Sequence, residues 1–187
     1  SRWRGRIRFL LRFALALLLL LALAVAGRSY FAFRDRMPGY ALDLNLDGQS
    51  SRANPRPLRV GFARVKINPD LSNPERAVYL AGFSSNRKAT AIHDDLWAIA
   101  CVMDDGHTRF GMVALDAIGF FHDDVVRVRQ RLLADWKLDY AMVCSTHNHS
   151  TPDLMGLWGP HPLRSGVDPR YREQVITACV TALGGAV

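Results

Sequence analysis

The sequence predicts an α/β domain: a mixed sheet containing a strand–helix–strand unit, preceded by an N-terminal apolar helix. Three observations predict it. An apolar run without a polar side chain fills residues 13–26 behind an arginine cluster. Two short apolar runs flank Asp104-Asp105-Gly106, a strong hairpin signal. Apolar segments at 108–115 and 140–144 bracket a stretch of helical periodicity.

The elements follow in order. Residues 1–36 form a basic signal-anchor or signal-peptide segment. Arg2, Arg4, Arg6, Arg8 and Arg12 precede the apolar run, which keeps that end in the cytoplasm. Ala24-Val25-Ala26 before Gly27 fits a small-x-small cleavage site. Counted from Phe9 past Tyr30, Phe31 and Phe33, the segment also approaches the roughly 20 residues that span a bilayer. Anchor is favoured over cleavage. Both readings put the remaining chain, membrane-anchored or secreted, on the extracytoplasmic side.

Residues 37–57, with three prolines and two glycines, read as a linker. The folded domain is expected from 58 to 187. Residues 58–67 read as a strand, stopped by Asn68-Pro69-Asp70. Residues 78–83 read as a short strand or extended segment, and 96–103 with 108–115 as the hairpin. Residues 122–135 read as a helix. Val125, Val128, Leu132 and Leu133 make its apolar stripe, Arg127, Arg129 and Arg131 face out, and Asp123-Asp124 suit its positive end. Residues 140–144 return as a strand. Residues 169–183 form a second helix, opened by Pro169 and closed by Gly184-Gly185.

The net charge of +7 invites a nucleic-acid reading, but its distribution argues against one. Residues 1–36 hold eight arginines and one acid, Asp35, which accounts for the whole excess. The rest is balanced, so no basic stripe remains to track phosphates. The three cysteines, Cys101, Cys144 and Cys179, have no metal-type spacing; Cys101 and Cys144 lie in apolar strands and read as small hydrophobes, with no disulfide framework expected and one oxidised pair outside the cytoplasm as the alternative.

The segment Ser145-Thr146-His147-Asn148-His149-Ser150 carries the chemistry. It follows an apolar strand, where α/β sheets place their sites. In an extended segment alternate side chains share a face, so His147 and His149 are expected in one site. Imidazole ligates zinc and exchanges protons near neutral pH. The two strands around the 122–135 helix should be parallel, which brings Asp116 beside the histidine loop. A carboxylate there would orient an imidazole through its free N–H; a turn role is the alternative.

Thr146-His147-Asn148-His149-Ser150, with Pro152 behind it, resembles the Thr-His-Thr-His-Ser-Gly-Pro-Gly segment of the neutral (non-lysosomal) ceramidases. Val60-Gly61-Phe62-Ala63-Arg64-Val65-Lys66-Ile67 resembles that family's opening strand. Leu80-Ala81-Gly82-Phe83 is similar to its Met-x-Gly-Tyr segment, and Ile92-His93-Asp94-Asp95-Leu96-Trp97-Ala98 to its Gly-Ile-His-x-Arg-Leu-x-Ala segment. Val113-Ala114-Leu115-Asp116 resembles the strand that ends in Asp before its first helix. The resemblance runs over about residues 58–160.

It implies a zinc-dependent amide hydrolase acting on ceramide or a related lipid amide at a membrane. His147 becomes the zinc ligand. His149 becomes the catalytic residue beside the metal, positioning substrate or stabilising the reacting carbonyl. The family's other ligands, a histidine, a glutamate and a tyrosine, are expected beyond Val187, so the piece alone is expected to be inactive. Asn148 in place of Thr, and Thr151-Pro152-Asp153 in place of Gly-Pro-Gly, depart from the pattern and leave ceramide specificity open. His93, Asp116, Asp153 and His161 are the further candidates for lining the site, while Leu154, Met155, Leu157 and Trp158 are candidates for packing or an acyl-chain wall. Two other classes compete. Metallo-β-lactamase-like hydrolases share a His-x-His pair, but their following Asp-His is missing here. The other is a non-catalytic, membrane-tethered domain.

Overall fold

The computed structural model describes residues 2–34, 56–73 and 75–187. Most of the linker read at 37–57 lies outside the described residues. The chain divides into two compact units, residues 1–50 and 51–187.

Among the described residues of the first unit, the helix α1 (Arg2–Phe33) runs through the arginine cluster and the apolar stretch. Its large apolar side chains are exposed on every side; Leu15, Leu18, Leu21 and Val25 are each between 58% and 69% accessible. A stretch that is apolar on every face suits a lipid environment. At 1.5 Å per residue it is about 48 Å long, more than a bilayer core of roughly 30 Å. By length and composition it is able to cross a membrane.

The second unit is a four-stranded mixed sheet with helices, an α/β fold. Strands β1 (Arg59–Lys66), β2 (Trp97–Asp104), β3 (Arg109–Leu115) and β4 (Tyr140–Ser145) lie in that spatial order. β1–β2 and β2–β3 pair antiparallel, and β3–β4 pair parallel across α2 (His122–Gln130). One sheet face is buried. Ala98, Ala100, Val102, Val113, Leu115 and Ala141 pack there against Val175, Ile176, Cys179, Ala182 and Leu183 of α3 (Pro169–Ala186). On the other face Phe62, Ile99 and Tyr140 remain exposed. The three cysteines are free, and burial pushes the Cys179 thiol up to about 12.

Of the two readings of residues 78–83, the extended segment holds: Tyr79 and Leu80 form isolated bridges, to Lys88 and Pro152. Two expectations are corrected. α2 ends at Gln130 rather than at 135, and a separate 3-10 turn covers Ala134–Trp136. Leu132 and Trp136 still pack on the core, so their helical spacing reflects burial without a continuous helix. α3 runs through Gly184 and Gly185 to Ala186. A Cβ at Gly184 would lie 2.4 Å from the Trp136 ring, and one at Gly61 would lie 2.0 Å from the Ala186 carbonyl oxygen. These glycines let helix, turn and strand approach closely instead of ending the helix.

Asp104 ties the first three strands at the hairpin. It accepts from Arg109 Nη2 at 2.7 Å, Arg59 Nη2 at 3.0 Å and the Gly106 amide at 2.6 Å. The Arg109 hydrogen bond first, then the Gly106 amide, hold its carboxyl below the usual carboxylate range. A carboxyl depressed in the folded state adds stability that is present above its unfolded pKa of about 3.9 and is lost as pH falls through the folded value. Urea unfolding midpoints should therefore drop on acidification below about pH 4, and Asp104→Asn should start lower at pH 7 and drop less. Equal acid sensitivity in both proteins would remove Asp104 from this account.

Candidate active site

The site forms where β3 and β4 end side by side. Leu115 pairs with Ser145, and the ladder continues past the strands: Thr146 N–H donates to the Leu115 carbonyl at 3.0 Å, Asn148 N–H to that of Ala117 at 3.2 Å. The histidine loop is thus laid along residues 116–118. His147 leaves the extended conformation with φ 61°. A non-glycine residue in the left-handed region is uncommon, and such strain concentrates at functional sites. The imidazoles therefore converge through a turn at His147, and strand alternation is not the cause.

Their geometry is specific. His147 Nδ1 lies 2.8 Å from the Ile118 carbonyl oxygen. A carbonyl only accepts, so Nδ1 carries the proton and Nε2 presents a lone pair. His147 Nε2 faces His149 Nε2 at 3.3 Å, with the rings nearly perpendicular at 84°. His149 must then donate from Nε2. Its Nδ1 is buried without a partner, against Gly82. Gly82 has φ +81°, and a Cβ there would sit 1.9 Å from His149 Nδ1. The Phe83 ring packs on the His149 ring with centroids 4.9 Å apart.

The other candidates fall in different places. Asp116 is beside the loop, but its carboxylate accepts from Trp97 N–H at 2.9 Å and Thr146 Oγ1 at 3.3 Å, not from an imidazole. The orienting acceptor foreseen for Asp116 is instead the Ile118 carbonyl. Burial, and then the Asp116 charge, raise the pKa of the Tyr171 phenol beneath it. Asp153 is fully buried under the loop and accepts from the amides of Met155, Gly156 and Trp158. It organises the turn after the motif. His161 is exposed, and its Nδ1 accepts from Leu163 N–H at 3.3 Å, apart from the pair. His93 is exposed and paired with Asp94 at 2.8 Å, first by hydrogen bond and then by charge, which raises its pKa. It lines a cavity of about 390 Å³ with Lys88, Leu80, Asn148 and Ser150, next to the histidine loop. Leu154 is buried core and Leu157 is exposed.

Sequence reasoning passed over the roles of Ile118 and Arg87. Ile118 acts through its backbone, which no residue type announces. Arg87 lies in a polar stretch without periodicity.

Among the described residues no group of three or more His, Cys, Asp or Glu side chains gathers as a metal site. The pair does fit one zinc position in part. His147 offers a neutral imidazole whose free nitrogen is fixed by a carbonyl on the opposite ring nitrogen, the arrangement of metal-binding histidines.

No protein-family model matches this chain, and no curated protein does. Solved structures share its fold, among them two ceramidases. One is a neutral ceramidase from Pseudomonas aeruginosa, with TM-score 0.56 and 23% identity over 70% of this chain. The other is a ceramidase complexed with C2, with TM-score 0.57 and 24% identity over 70% of this chain. The chain spans 21% of each of those chains. The described domain thus has a ceramidase-like fold.

Proposed function

We propose that this domain is the N-terminal part of a zinc-dependent amide hydrolase that cleaves the N-acyl bond of ceramide or a related lipid amide. The observation that carries the reading is the convergence of His147 and His149 at the carboxyl edge of a ceramidase-like sheet, with one free imidazole nitrogen fixed by Ile118.

His147 would hold the metal through Nε2. A bound zinc supplies Lewis acidity and a water of pKa near 7. His149 Nε2–H donates to His147 in this structure, and it would be the donor to the acyl oxygen of the substrate and to the oxyanion that develops there. Ile118 keeps the His147 tautomer, and Gly82 with Phe83 fixes the His149 ring. His149→Ala in the full-length protein should therefore keep most of its zinc yet turn over about 10²-fold more slowly, the size of a lost oxyanion donor. Metal analysis with release of long-chain base from an N-acyl sphingosine checks this. Unchanged turnover would remove His149 from the mechanism.

The same reading places the enzyme at a membrane. α1, with its arginines on the cytoplasmic side, would set the domain on the extracytoplasmic face, where lipid amides are reached from the bilayer surface. A reporter fused after Asn68 should be cut by protease added outside intact cells. A protected, soluble reporter would contradict that topology.

A further inference from the structure

We infer that Arg87 is a positioning residue for His149, acting through the His149 backbone and through the ring of Phe83. The inference rests on the reading of His149 given above and adds a residue to it.

Three observations carry it. First, Arg87 Nη1 lies 3.2 Å from the Ala81 carbonyl oxygen, 3.2 Å from that of Gly82 and 3.3 Å from that of His149. One guanidinium nitrogen therefore spans two chain segments, the turn at Gly82 and the histidine loop, which are far apart in sequence. Second, the Arg87 guanidinium lies over the Phe83 ring, 5.0 Å from its centroid. Third, Phe83 is 81% exposed and sits at φ 61°, yet its ring touches the His149 imidazole. An exposed aromatic on left-handed backbone is not held by a core. The guanidinium stack is its described support besides His149 itself.

The physical consequence is direct. His149 Nδ1 makes no hydrogen bond, so nothing polar fixes the ring from that side. Its orientation depends on Gly82 behind it, Phe83 beside it and the position of its own backbone. Arg87 touches all three of these supports. A planar fork can serve several carbonyls and still stack on an aromatic face; a lysine ammonium, a point charge on a flexible stem, cannot reproduce both. Catalysis is sensitive to such placement, since displacements near 1 Å cost about 10²-fold in rate.

The test uses the full-length protein with selectively ¹³C-labelled histidine, the His149 signal being assigned with His149→Gln. The nearby Phe83 ring should shift the His149 ring protons from their exposed-histidine positions. In Arg87→Ala and Arg87→Lys those protons should move toward exposed positions, while the zinc content stays as in the wild type. kcat on an N-acyl sphingosine should fall roughly 10-fold to 100-fold with KM nearly unchanged. The lysine variant keeps the charge and the stem, so it decides the matter if the alanine variant does not fold. Unmoved His149 signals, or a kcat within about twofold of wild type, in Arg87→Lys would overturn the proposal. The resonances are read without substrate, so a protein lacking amidase activity fails the proposed function and still leaves this arm decisive.

Discussion

Replacing His147 with alanine in the full-length protein is expected to empty the zinc site and reduce lipid-amide hydrolysis roughly 10³-fold or more, because several kcal/mol of charge stabilisation go with the metal. The reason lies in the tautomer. The Ile118 carbonyl accepts from His147 Nδ1–H at 2.8 Å, which leaves Nε2 as the free base. No second group in the loop repeats that arrangement: Asp116 is occupied by the Trp97 amide and Thr146, and Asp153 by three amides. His147 is exposed at the loop surface, so the variant should unfold within a few degrees of the wild type. Metal content, turnover and a melting curve together check the outcome. Zinc retained at full stoichiometry would move the ligand elsewhere.

Gly82→Ala should be nearly as damaging, although Gly82 has no side chain to offer. An L-residue at φ +81° costs about 1–2 kcal/mol on conformational grounds. Its Cβ would also meet His149 Nδ1 at 1.9 Å, so one of them must move. The Gly82 segment is not free to withdraw: Ala81 N–H donates to the Thr151 carbonyl at 2.9 Å, and Asp153 N–H to that of Tyr79 at 2.8 Å. The imidazole is therefore the part that yields. Turnover should fall by about 10²-fold, as for removal of the group itself, with a lowered melting temperature and zinc still bound through His147. Normal turnover would mean that His149 tolerates a displaced ring, which its assigned role forbids.

Much of this arrangement was legible in the residues, and the exceptions have physical causes. The hairpin was readable because Asp104 and Gly106 meet local backbone requirements that need no distant partner. The parallel β3–β4 pair followed from the length of the helical connection. The edge on which the histidines lie followed with it. The helix ends were misjudged for a non-local reason. Gly184 lies inside the helix, and a glycine is needed there because the Trp136 ring occupies the space a side chain would take, a contact 48 positions away in the sequence. Leu132 and Leu133 keep helical spacing past Gln130, but Leu133 is 60% exposed outside the helix. At the site, the histidine pair was visible while the means of its convergence was not. A left-handed histidine has no signature in residue type, and the Ile118 acceptor is backbone. Asp153 was read as a carboxylate for the site because its burial beneath three amides depends on how the loop closes. Gly82-Phe83 stood out as a motif, yet their place behind His149 arises only when the 78–89 segment folds back on the histidine loop.

Metal dependence of amide cleavage tests the central claim most directly. Purified full-length protein should release long-chain base from an N-acyl sphingosine, lose that activity on treatment with a zinc chelator, and regain it when zinc is returned. Cleavage that proceeds unchanged after the metal has been removed to below stoichiometric traces, or no cleavage of any long-chain N-acyl amine by the zinc-loaded protein, would contradict the account.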